Sequence, residues 1–368
     1  MNTSGTTPGA VAVFVKTPGH SPLKTRLAAG IGTPAAQRFY RDSCAAIQSV
    51  LLKGVEQNLP VVPYWAVAED PQQVQDAWPD FTLVAQGEGE LGERVARVYG
   101  TLLDRHPFVV LLGADAPQIS PALMQAALPR PDDDFVMGLA GDGGFWLLAG
   151  TRAVAREIWT GIPWSGPTTG AELQAALSES GAVRLLPGLN DVDTVADLQQ
   201  LVTDLRTAED LLPEQQRLRD HFQFRPDGTL KPRVLFLCTG NSCRSQMAEG
   251  WLRELRGADF SVFSAGVEKH GLNPRAVAVM AEAGVDISRQ QSQTLDDTGL
   301  DFDLVVTVCD HAAEVCPVFP GKAKVLHHSF DDPPGLTRDE KDEKKILPAY
   351  RRVRDEIKAF VEELPVDP

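Results

Sequence analysis

The apolar run Val234-Leu235-Phe236-Leu237 leads into Cys238-Thr239-Gly240-Asn241-Ser242-Cys243-Arg244-Ser245, and this junction constrains the fold more than any other stretch. Four consecutive apolar residues read as a strand buried on both faces. Met247, Trp251, Leu252 and Leu255 then recur at helical spacing and predict a helix with one apolar face. A thiol therefore sits at the end of a strand, a short loop turns, and a helix begins. Backbone N–H groups in such a loop, with the helix N-terminus, cradle a tetrahedral oxyanion. Thr239, Gly240, Asn241, Ser242, Cys243 and Ser245 are the residues placed to do so. A field of this kind stabilises thiolate over thiol, and thiolate is the attacking form. Arg244 can close the cradle and grip two oxyanion oxygens. A buried cysteine beside a surface arginine is the plainer alternative. The strand before it and the helix after it weigh against that.

Cys-x5-Arg-Ser resembles the signature of low-molecular-weight tyrosine phosphatases and of the thioredoxin-coupled arsenate reductases that share their fold. The whole chain must accommodate more than this. Its 368 residues favour two domains, and 43% hydrophobic residues suffice for ordinary cores. A formal charge of −15 argues against nucleic acid and against a polybasic membrane surface. No apolar run is long enough to span a bilayer, and the polar start lacks the basic region of a secretory signal. Five cysteines, four of them after residue 237, suit cytoplasmic thiol chemistry better than a secreted disulfide framework.

In the first half, strand-like runs at 10–16, 61–67, 108–112, 135–139 and 145–148 alternate with helix-like segments at 34–52, 91–103 and 121–128. This α/β alternation implies a mainly parallel sheet covered on both faces, with ligands at the carboxyl ends of its strands. Lys16, Lys24 and Arg26 gather after the first strand, and Asp115, Asp142 and Asp193 punctuate later strand ends. Cations on one loop and carboxylates on others suit a nucleoside diphosphate bound with Mg²⁺ or Mn²⁺. Singly, each is ordinary. Asp193 reads as a helix cap, Asp142-Gly143-Gly144 as a hairpin turn, Asp115 as a turn start, and Lys24 and Arg26 as solvated charges.

In order, Phe14-Val15-Lys16-Thr17-Pro18-Gly19, Lys24-Thr25-Arg26-Leu27, Gly113-Ala114-Asp115-Ala116-Pro117, Ala140-Gly141-Asp142-Gly143-Gly144-Phe145 and Asp191-Val192-Asp193 resemble a bacterial family of GT-A-like transferases linked to arsenosugar biosynthesis. The resemblance covers about residues 8–205. It implies a nucleotide-sugar donor and an acceptor, with Asp115 in the metal-binding acidic motif. Lys24 and Arg26, with Lys16, would contact the nucleotide, and Asp142 and Asp193 would activate the acceptor or touch a second metal. Ala116 stands where a cysteine is usual, and Ser21-Pro22 alters the turn before Lys24. Residues 206–230 read as a polar helical linker ending at Pro226-Asp227-Gly228, which separates domain 1–205 from domain 231–368.

Beyond the thiol loop, strand-like runs cover 259–267, 304–308 and 324–330, and an amphipathic helix covers 346–364. Four parallel strands in the order 2-1-3-4 would set strands one and three side by side and bring Cys238 and Cys309 to one edge. Residues 231–364 resemble the arsenate reductases specifically, through the thiol loop, the Cys309/Cys316 pair, Phe330-Asp331-Asp332-Pro333 and Arg354-Asp355-Glu356-Ile357. The resemblance implies arsenate as substrate, thioredoxin as reductant and a relay through Cys238, Cys309 and Cys316, with Cys243 outside it. Asp332, held extended by Pro333, would be the general acid. Members of that family also hold a structural potassium; Asn241, Glu249 and Ser264 match its surroundings, and Gln293 stands where an acidic residue helps bind it. His327 and His328 are expected on a strand, one buried and one exposed. The rival reading is a plain tyrosine phosphatase joined to a nucleotide-binding module without transferase activity. It leaves Cys309 and Cys316 without a task.

Overall fold

Strand β1, Gly9–Val15, sorts its side chains by parity. Val11, Val13 and Val15 pack on one face with Tyr40, Ile47, Val50 and Leu51 of the helix Thr33–Glu56. Ala10 and Ala12 face the other way, toward Val95, Val98, Tyr99 and Leu102 of the helix Leu91–Leu103. With both faces covered, the strand has no polar face to alternate, hence its unbroken apolar sequence. The computed structural model describes residues 7–298, 301–309 and 323–365. The chain divides into two units, Met1–Arg219 and Asp220–Pro368.

The first unit holds a seven-stranded sheet in the order β3-β2-β1-β4-β6-β5-β7. Its other strands are β2 Val61–Val67, β3 Thr82–Ala85, β4 Val109–Gly113, β5 Phe135–Leu139, β6 Phe145–Gly150 and β7 Val183–Leu185. Pairing is parallel except at β6, which runs antiparallel to β4 and β5. Asp142-Gly143-Gly144 makes the β5–β6 hairpin turn, with Gly143 at φ +92°. A Cβ there would lie 1.9 Å from Pro167 O, so the turn requires glycine.

Residues 206–230, expected as a polar helical linker, hold the helix Pro213–His221, and their side chains are anchored. Gln215, on the helix Pro213–His221, donates at 2.8 Å to Pro117 O and Ile119 O of the first unit. Arg225 Nε donates to Asp259 O in the second unit. Buried Gln215, Leu218 and Phe222 drive this, since a free linker would leave two large apolar side chains in water.

The second unit is a four-stranded parallel sheet in the order β11-β10-β8-β9, the expected 2-1-3-4 arrangement read from the other edge. Its strands are β8 Arg233–Cys238, β9 Ser261–Gly266, β10 Leu304–Thr307 and β11 Lys324–His327. Met247, Trp251 and Leu252 of the helix Arg244–Arg256 share its core with Ile346, Tyr350, Val353, Ile357 and Val361 of the helix Glu343–Glu362. Strand β11 stops at His327, short of the run expected to reach 330, and both His327 and His328 are exposed. The reason is local. His327 Nδ1 pairs with Thr307 Oγ1 at 2.8 Å, and His328 stacks on Phe360 with centroids 4.3 Å apart, so neither ring enters the core.

Candidate active sites

Strand β8 pairs with β10 through Leu237↔Thr307 and with β9 through Cys238↔Gly266. This register delivers Cys238 to the sheet's carboxyl edge, where Asn241 takes the left-handed conformation at φ 44° and turns the loop back. Asn241 N then donates to Cys238 Sγ at 3.1 Å, and Ser245 Oγ lies 2.9 Å from the same sulfur. Asn241 Nδ2 donates to Ser245 Oγ at 3.0 Å and to Ser264 Oγ at 2.8 Å. Ser245 Oγ already accepts from Asn241, so its own hydrogen is free to point at the sulfur. Two donors on one sulfur suit a thiolate.

The rest of the loop is held from its flanks. Thr239 O accepts from Glu268 N, Gly240 O from His270 N and Ser292 Oγ, and Ser242 O from Asn273 N. Burial, with the Asp332 carboxylate added, pushes the Cys243 thiol well up and keeps it protonated. Arg244 Nη1 donates to Phe330 O at 2.9 Å, and Nη2 pairs with Asp332 Oδ1 at 3.1 Å. Asp332 Oδ2 caps the turn behind Pro333 through Gly335 N at 2.8 Å. Arginine and acid therefore meet at the mouth of the loop.

Cys309 follows β10, buried, with Sγ 3.5 Å from Thr239 Oγ1. Residues 71 apart in sequence are thus set at one edge of the sheet. No disulfide joins Cys44, Cys238, Cys243 or Cys309. Cys316 lies outside the described residues. Cys44, deep in the first unit, has its thiol pushed well up by burial and then by Asp115.

The surroundings matched to potassium do not fit a cation as they stand. Asn241 Oδ1 accepts from Gln246 Nε2 at 3.0 Å and Gln293 N at 2.8 Å, and Ser264 O accepts from Gln293 Nε2 at 2.9 Å. The Glu249 carboxylate takes Ser264 Oγ at 2.5 Å and the Arg253 guanidinium. Its oxygens and those of Asn241 and Ser264 are occupied by N–H and O–H donors.

In the first unit, two adjoining cavities of about 570 and 540 Å³ open where β1 and β4 end, and Asp115, Asp193 and Arg26 line both. Lys24, expected on phosphate, instead donates to Val192 O at 2.7 Å and pairs with Asp115 at 2.9 Å and Asp193 at 3.2 Å. Its side chain is 6% exposed. Burial alone would discharge it, and the two carboxylates overcome that and raise its pKa. Arg26 is also committed, to Asp193 Oδ2 at 2.5 Å. Thr194, not Asp193, caps the helix Val195–Thr207, which leaves the Asp193 carboxylate for these cations. Lys16 lines the first cavity, its N–H donating to Tyr40 Oη.

Asp142 lines the second cavity with Asp191, a residue the sequence did not single out as a site. Burial, then the Asp115 and Asp142 carboxylates, pushes Asp191 up to about 7. Oxygen donors of this kind have the chemistry for Mg²⁺ or Mn²⁺. Their arrangement does not fit one. The Lys24 ammonium already pairs with both Asp115 and Asp193, and among the described residues no three His, Cys, Asp or Glu groups converge on a metal position.

Residues 233–365 match the family described as low molecular weight phosphotyrosine protein phosphatase. Residues 54–166 match a family described as uncharacterized protein conserved in bacteria (DUF2064). An arsenate reductase of Halalkalibacterium halodurans is 54% identical over 125 residues, 34% of this chain and 88% of the relative. Arsenate reductase 1 of Staphylococcus saprophyticus is 47% identical over 133 residues, 36% of this chain and 95% of that one. A solved structure from Desulfovibrio desulfuricans, described as a candidate nucleotide-diphospho-sugar transferase, superposes with a TM-score of 0.50 at 27% identity. It covers 55% of this chain and 89% of that one. The chain thus belongs, through residues 233–365, to the arsenate reductases of the low-molecular-weight phosphatase family, and carries before them a DUF2064 domain that resembles a nucleotide-diphospho-sugar transferase.

Proposed function

We propose that the second unit reduces arsenate to arsenite through three cysteines, with thioredoxin as reductant. The observation that carries this is the second thiol: Cys309 abuts the Cys238 loop, an arrangement phosphate hydrolysis does not need. Cys238 thiolate attacks arsenic(V), with the oxyanion held by loop N–H groups and Arg244. Asp332 supplies the proton on which one oxygen leaves as water. Cys309 thiolate then attacks Cys238 Sγ. The sulfur–arsenic bond breaks, its electron pair stays with arsenic, and arsenite departs from a Cys238–Cys309 disulfide. Cys316 attacks Cys309 next, frees Cys238, and leaves a Cys309–Cys316 disulfide that takes two electrons from thioredoxin.

Turnover of arsenate with thioredoxin, thioredoxin reductase and NADPH tests the scheme. Cys238→Ser abolishes turnover. Cys316→Ser gives one arsenite per chain and stops with Cys238 and Cys309 joined, as read by peptide mass mapping. Continued turnover by Cys316→Ser under the same conditions rejects the three-thiol relay.

For the first unit we propose a nucleotide-diphospho-sugar transferase, supported by its fold likeness and its paired cavities at the strand ends. With the reductase it would serve arsenosugar formation, arsenite production and sugar transfer lying on one chain. Transfer of label from nucleotide sugars to an arsenical in cells carrying the chain supports this; label that moves equally without the chain rejects it.

A further inference from the structure

Four cations line the first of the two cavities: Lys16, Lys24, Arg26 and Arg94. Lys24 and Arg26 are neutralised by Asp115 and Asp193. Lys16 and Arg94 form no ion pair among the described residues, and with Glu90 counted against them the wall keeps one net positive charge. Glu90, also on the wall, is engaged in the capping box that starts the helix Leu91–Leu103.

Arg94 is held in a way that a solvated helix charge is not. Gln86 is 3% exposed, and its Nε2 donates to Val15 O at 3.1 Å and Ala66 O at 2.6 Å. These two main-chain acceptors fix the amide, so Oε1 must face away from the sheet, where it receives Arg94 Nη2. Arg94 Nε is buried without a partner among the described residues. Orphaned guanidinium donors are costly unless something accepts from them. Arg94 also lies in its helix's first turn, where the macrodipole favours an anion.

We propose that Arg94 and Lys16 form the diphosphate-binding pair of this cavity, and that Lys24 acts as the fixed counter-ion of Asp115 and Asp193 and not as a phosphate ligand. The assignment rests on the nucleotide-sugar reading of the unit and changes which residues carry it. A diphosphate pairs with the two cations that have no carboxylate partner and leaves the Lys24 pairs undisturbed.

Titration calorimetry of the full chain at low salt, with inorganic pyrophosphate and separately with UDP-glucose and GDP-mannose, tests it. Arg94→Gln and Lys16→Gln each weaken pyrophosphate binding about tenfold or more, the loss expected for charged hydrogen bonds. Arg94→Lys recovers part of it, and Lys53→Gln, a surface cation outside the cavity paired with Glu56, changes it less than about twofold. Wild-type binding that is unchanged in Arg94→Gln and Lys16→Gln overturns the assignment while leaving the nucleotide-sugar reading. Pyrophosphate binding that depends on Arg94, without binding of either nucleotide sugar, supports the anion site and undercuts these donors. No binding of any probe by the wild-type chain overturns both. Should Arg94→Gln unfold, Arg94→Lys and Lys16→Gln decide.

Discussion

Lys24 has three ammonium protons and three acceptors around them, Val192 O, Asp115 and Asp193. A methionine there would leave carboxylates facing one another across an apolar tip. Lys24→Met is expected to destabilise the first unit by about 3 kcal/mol, the low end for a broken buried pair because Asp115 is 38% exposed. The same variant frees a position between two carboxylates. Millimolar Mg²⁺ or Mn²⁺ should then raise its melting temperature and leave the wild type unmoved; equal shifts in both would refute the counter-ion role. At Cys238, Ser245→Ala removes one of two donors to the sulfur and is expected to slow arsenate reduction about tenfold or more. Pre-steady-state arsenite release measures this apart from later thiol steps.

At the scale of elements, the thiol loop is built by a close approach. Gly266, paired with Cys238 at the end of β9, has no room for a side chain. An added Cβ would lie 2.7 Å from Asn241 N and 2.8 Å from Thr239 O. Gly266→Ala should displace the N–H that Asn241 aims at Sγ and cut kcat for arsenate more than it lowers Tm. A proportionate fall in both would place the glycine's importance in folding alone. Strands β8 and β10 beside this loop were legible in the sequence because they are buried on both faces and read as nearly unbroken apolar runs. Thr82–Ala85 and Val183–Leu185 were not, being four and three residues long and nowhere fully buried. Arg94 escaped for another reason. On its helix it looks like any surface charge, and only the fold brings Gln86 beneath it. Likewise nothing near Lys24 in the sequence announces a partner 168 residues away at Val192.

At the scale of the whole molecule, one buried carboxylate ties the first unit's stability to pH. Asp191, pushed up to about 7 by burial and neighbouring carboxylates, holds its proton in the folded first unit at pH values where the unfolded chain has lost it. Its contribution to stability is complete below the ordinary carboxylate range and is lost as pH rises through about 7. The first unit should therefore melt lower at pH 8 than at pH 5.5 by a margin worth about 2 kcal/mol, and Asp191→Asn should flatten the slope. Calorimetry at the two pH values decides; an unchanged slope in the variant assigns the dependence elsewhere.

One sealed thiol lies in each unit, Cys44 in the first and Cys243 in the second, both buried and both held protonated. Neither reacts until its surroundings open. With Cys238, Cys309 and Cys316 replaced by serine, alkylation of these two becomes a pair of internal clocks. Labelling followed by peptide mapping would time the opening of each half of the chain separately, from a single sample, with no foreign probe attached.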